Sequence, residues 1–79
     1  MRTTAIEWRE VAEGRESLPG KDLYVDGARR GVVVRTPYGT AIGYADPDGA
    51  GMQRLGHYYN ESDATAGVLC ACGLKEKLQ

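Results

Sequence analysis

Turn signals cut the middle of this chain into pieces too short for anything but strands. Asp26-Gly27 is a strong hairpin dipeptide, Pro37-Tyr38-Gly39 is the next turn, and Asp46-Pro47-Asp48-Gly49 follows. In the last of these, Pro presets φ and Gly supplies a positive φ. Between the turns lie GVVVRT at 31–36 and TAIGYA at 40–45. The first is β-branched and reads as the central strand. In the second, Ile42 and Tyr44 share a face, and Gly43 marks a bulge or a close backbone approach. Before the first turn, Leu23 and Val25 share one face and Tyr24 takes the other. MQRLGHYY at 52–59 carries the last strand, where Gly56 can bend it. Upstream, Ile6 and Trp8 alternate with Glu7 and Arg9 at strand period, so a strand is favoured over residues 3–12. GRESLPGK at 14–21 reads as a loop.

A helix follows the strands. Asn60 has the character of an N-cap, with Glu61 and Asp63 in the first turn. Ala64, Val68, Ala71, Leu74 and Leu78 form a stripe at helical spacing, and Lys75 and Lys77 favour its C-terminal end. Gly67 and Gly73 weaken it by roughly 1 kcal/mol each, so the helix needs a sheet or a partner beneath it. The expected fold is α+β: a three- to four-stranded antiparallel meander packed against one C-terminal helix. The sheet's other face is expected to be solvated or bound. With 79 residues, the chain 1–79 reads as a single small domain with a thin core.

Charge and apolar content exclude several classes. Ten Lys and Arg against eleven Asp and Glu leave a net charge of −1, which argues against a protein held on duplex DNA by bulk charge. No apolar run is long enough to span a membrane. The opening MRTTAIEWREVAEG lacks a signal-peptide core, so the expected location is the cytosol. Cys70 and Cys72 stand one residue apart, which is neither a redox nor a zinc spacing. On a helix they would point about 200° apart. At least one is expected to be a small core residue, the alternative being a reactive thiol or an intermolecular disulfide.

Catalytic motifs are missing from the sequence. His57 is the single histidine, and no nucleophile-elbow, zinc-helix or phosphate-loop pattern occurs. The expectation is a non-enzyme with no cofactor and no metal; Asp46 and Asp48 read as a plain turn rather than a calcium loop. The charge is nevertheless polarised, at −1 over 1–20, +2 over 21–45, −3 over 46–63 and +1 over 64–79. Arg29, Arg30 and Arg35 lie along one hairpin, while Asp46, Asp48, Glu61 and Asp63 surround the far turn and helix start. Trp8 and one of Tyr58 and Tyr59 are expected in the core. Tyr24 and Tyr38 are expected to be exposed near Arg29 and Arg35, since Tyr and Arg together make binding hot spots. The candidate partner-binding residues are Tyr24, Arg29, Arg30, Arg35, Tyr38, Asp46, Asp48 and Arg54.

The stretch 23–74 resembles the three-strands-then-helix pattern of plant AP2-type and integrase N-terminal DNA-binding domains, which recurs in small phage and mobile-element proteins. Tyr24, Gly31-Val32, Tyr38-Gly39-Thr40-Ala41, Asp46-Pro47-Asp48-Gly49, Leu55-Gly56 and the helix start at 60–66 carry it. The chain departs from that pattern in its acidic turn and in having no Trp on those strands. Its size and charge are also similar in type to phage-encoded anti-CRISPR inhibitors. The resulting expectation is an inhibitor that blocks a host defence complex, a larger protein or ribonucleoprotein, by occupancy. Asp46 and Asp48 would then form a phosphate-mimicking edge. Alternatives are a nucleic-acid module using Arg29, Arg35 and Arg54, and a structural homodimer.

Overall fold

A computed structural model describes residues 4–74. Five strands form one antiparallel sheet in chain order: β1 (Ile6–Val11), β2 (Gly20–Val25), β3 (Ala28–Arg35), β4 (Ala41–Ala45) and β5 (Gln53–Tyr58). One helix, α1 (Glu61–Ala71), follows. The class is α+β as expected, with more strands than the expected three or four. β1, expected as a strand over residues 3–12, joins the same sheet as its first strand and pairs along its full length with β2, from Ile6 opposite Val25 to Val11 opposite Gly20. The expected loop at 14–21 is also shorter, because Gly20 and Lys21 already belong to β2.

Local chemistry accounts for the turns. Asp26 and Gly27 have φ of 52° and 85°, the pair of positive values that a two-residue type I′ hairpin demands. At the helix start, Asn60 Oδ1 accepts the Asp63 N–H at 2.8 Å, as an N-cap should. Lys75, Lys77 and Leu78, expected to extend the helix, lie outside the described residues.

α1 lies across β3, β4 and β5. Between helix and sheet sit Leu23, Val33, Ala41, Ala64, Val68 and Leu69, with Trp8, Val25, Tyr58, Cys72 and Leu74 at the margin. Ala64 and Val68 are buried as the stripe predicts, but Ala71 is exposed and Leu69 takes its place. The helix rotates because its close approach is set by glycines. A Cβ at Gly31 would lie 2.4 Å from Val68, and one at Gly43 would lie 3.1 Å from it. Trp8 is half-buried rather than central, and Tyr59 is 86% exposed, leaving Tyr58 as the tyrosine against the core.

The face away from α1 is not simply open. Val32, Val34, Ile42 and Tyr44 form a second buried cluster there, capped by Leu18 and Met52. The connection from β1 to β2 folds back over it through a tight turn at Arg15–Ser17. A sheet buried on both faces explains why VVV at 32–34 shows no alternation: all three valines are 1% exposed or less.

Candidate macromolecule-binding face

Two bulges decide which side chains share a face. Opposite β2, Leu23 pairs with Gly31 while Tyr24 pairs with Arg29, so Arg30 is an extra residue. Opposite β4, Gly43 pairs with Gly56 while Tyr44 pairs with Arg54, so Leu55 is extra. Without the first bulge, Arg29 would share the parity of Arg35. With it, Arg29 turns to the face away from α1 and Arg35 stays on the helix side.

On the face away from α1, Arg29 lies beside Asp22, its Nε 3.9 Å from Oδ2. Next to them the Arg9 guanidinium stacks over the Tyr24 ring, 4.0 Å from its centroid. Glu7 holds that guanidinium from the other side, accepting from Nε at 3.0 Å and from Nη2 at 3.2 Å. This pairing keeps the Glu7 carboxyl below its ordinary range. Tyr24 is therefore half-buried under an arginine, not free as expected.

A second stack stands on β4. Arg15 lies 4.8 Å over the Tyr44 ring, and the Tyr44 hydroxyl donates to the Glu16 carboxylate. Burial first, and then that hydrogen bond, push the Tyr44 hydroxyl above its ordinary pKa. Glu16 and Ser17 adopt φ of 59° and 57°, a left-handed backbone that disfavours side chains by roughly 1–2 kcal/mol per residue. The Tyr44 bond helps to hold the turn there. Between the two stacks is a depression of about 380 Å³ lined by Val11, Glu13, Gly14, Arg15, Asp22 and Arg29. Arg54 is exposed on the same face, opposite Tyr44.

The remaining expected site residues lie elsewhere. Arg35 faces the helix side and is fully engaged, donating to Glu10 at 2.8 Å and to Glu61 at 3.1 Å. Lys21 joins the same Glu61 oxygen at 3.2 Å and lies 4.6 Å over the Trp8 ring. Arg30 leans toward the turn after β4, where a Cβ on Gly49 would lie 3.0 Å from its Nη1. Asp46 and Asp48 are occupied in that turn, accepting the N–H of Gly51 at 3.0 Å and of Ala50 at 3.3 Å. Tyr38 is 88% exposed at the turn between β3 and β4, away from either stack. Among the described residues no three His, Cys, Asp or Glu converge as a metal site.

Tyr24 and Arg29 thus come together, and Arg54 joins their face. Arg9, Asp22, Arg15 and Tyr44 were missed as site residues. For Arg9 a signal existed in the IEWR alternation, which places it on the polar face of β1. Its meeting with Tyr24 required the register of β1 against β2. The chain matches no family model, and neither a curated protein nor a solved structure matches it.

Proposed function

We propose that the protein is a non-enzymatic binding protein that engages a larger protein or ribonucleoprotein through the sheet face away from α1. The observation carrying this reading is the pair of arginine–tyrosine stacks, Arg9 on Tyr24 and Arg15 on Tyr44, flanking one depression on the sheet. Tyrosine and arginine offer large contact area with little ordering entropy once they are stacked in advance. The finer reading is inhibition by occupancy of a host defence complex, of the anti-CRISPR type; small size and a near-neutral, polarised charge support it.

Charge on the face favours a protein surface over a phosphate backbone. Arg9 has Glu7, Arg29 has Asp22, and Arg15 shares Tyr44 with Glu16. Such a mixed face gives register and specificity against a mixed partner. Duplex binding would instead need unneutralised cations.

The test is capture from a bacterial lysate with tagged protein, with and without nuclease. The expected result is a discrete partner that survives nuclease and is lost with Arg9→Ala or Tyr24→Ala while the circular dichroism spectrum is unchanged. Recovery that disappears with nuclease would replace this reading with the nucleic-acid module.

A further inference from the structure

The two edges of the sheet differ in kind. The β5 edge is broken by the bulge at Leu55 and by Gly56 at φ 134°, features that blunt strand addition. The β1 edge has neither bulge, Pro, Gly nor Lys along Ile6–Val11, and among the described residues no strand lies on its outer side. Such an edge presents unpaired N–H and C=O groups to another chain.

Which groups point outward follows from the pairing with β2. The Asp26 N–H donates to the Ala5 carbonyl at 2.8 Å, so Ala5 opposite Asp26 is a hydrogen-bonded position. Antiparallel pairs alternate, so Glu7, Arg9 and Val11 bond inward to β2. Ile6, Trp8 and Glu10 then direct their backbone N–H and C=O to the free edge.

The geometry points to a twofold homodimer formed by antiparallel pairing of β1 with β1 of a second copy, centred on Trp8. A twofold axis requires that outward groups meet outward groups, so the axis must pass through a single residue. Centring on Glu7 sets Glu7 against itself, and centring on Arg9 sets Arg9 against itself; both oppose like charges. Centring on Trp8 bonds Trp8 to Trp8 and Ile6 to Glu10 of the other copy. The same register places each Glu7 directly opposite an Arg9, twice, on the face away from α1. It is the central register in which the charges of this strand complement themselves.

The helix side of the edge agrees with it. α1 packs mainly over β3, β4 and β5, and Ile6 is 47% exposed beside the half-buried Trp8 and Val25. The Trp8-centred axis would stack the two indoles and close this apolar margin. The result is one ten-stranded sheet with the Arg9–Tyr24 stacks of both copies adjacent. It does not depend on the identity of the partner proposed above.

Sedimentation equilibrium over a range of protein concentrations tests it. The expected wild-type mass is that of two chains. Ile6→Pro removes an outward N–H and no hydrogen bond to β2, so it should fold and sediment as a monomer. Glu7→Arg should also give a monomer, by setting arginines opposite each other. Glu7→Arg combined with Arg9→Glu restores opposite charges and should restore the dimer. A wild type that is monomeric at every concentration overturns the proposal. So does a dimer whose mass is indifferent to both single substitutions, because the copies would then meet through another surface.

Discussion

Single atoms decide much of this structure, most visibly at glycines. Gly67 reads in the sequence as a weakness in the helix. In the fold it seats Tyr58: a Cβ there would lie 2.4 Å from the tyrosine hydroxyl oxygen and 2.6 Å from Cζ. Alanine should add about 1 kcal/mol of helix propensity and lose about 1–3 to overpacking. Gly67→Ala is therefore expected to lower the urea midpoint; a higher midpoint would show that Tyr58 can move aside freely. Gly20 is stricter, because its neighbour is backbone. A Cβ there would lie 2.0 Å from the Val33 carbonyl oxygen, so Gly20→Ala should destabilise by about 3 kcal/mol. The cysteines behave differently from each other as well. Cys70 is exposed, while the Cys72 thiol donates to the Arg30 carbonyl at 3.3 Å and is pushed above its ordinary pKa by burial. Mass spectrometry after brief alkylation should find one adduct, at Cys70, in the native protein and two after denaturation. Two adducts in the native protein would refute this difference.

At the level of elements, the helix side is tied together by charge where packing ends. Glu10 of β1, Arg35 of β3, Lys21 of β2 and Glu61 of α1 form one connected group. Exposed pairs contribute about 0.2–1 kcal/mol each, so Arg35→Ala, which removes two, should lower stability by about 0.4–2 kcal/mol. It should leave partner capture unchanged, because Arg35 lies on the opposite side of the sheet from the Arg9–Tyr24 stack. Loss of capture with intact fold would place the binding face on the helix side instead. The pH dependence has a definite sign. Arg35 lowers the Glu10 carboxyl below its ordinary 4.5, chiefly by the hydrogen bond between them. A depressed carboxyl contributes stability that is full above its unfolded pKa and lost as pH falls through the folded one. Thermal midpoints should therefore fall on acidification below the ordinary carboxylate range, and the fall should be shallower in Glu10→Gln.

For the whole molecule, 42 × 28 × 19 Å is the shape of a broad sheet with one helix layer on part of it. The helix packs mainly over β3, β4 and β5, while the loop bearing Arg15–Ser17 covers the centre of the opposite face. Among the described residues the β1 side is the least covered, with the Arg9–Tyr24 stack on one face and the Ile6–Trp8 margin on the other. The proposed binding face and the proposed dimer edge therefore share one end of the molecule. Salt provides a separate check at this scale. Partner affinity set by a mixed-charge face should fall modestly between low and physiological salt. A steep logarithmic decline would indicate release of counterions from a nucleic acid.

The turns, the strand periods, the Asn60 cap and the α+β class were legible in the residues alone, because these depend on φ preferences and on alternation between near neighbours. The sequence also held the candidate residues Tyr24 and Arg29, which do meet. Tertiary structure alone decided their company. The extra residue Arg30 reverses side-chain parity within β3, so Arg29 and Arg35, both even steps apart in sequence, part to opposite faces. Arg9 reaches Tyr24 only through the register of β1 on β2, and Arg15 reaches Tyr44 only when its loop folds over β4. Bulge position, register and loop docking are set by contacts between distant residues, and no local pattern encodes them.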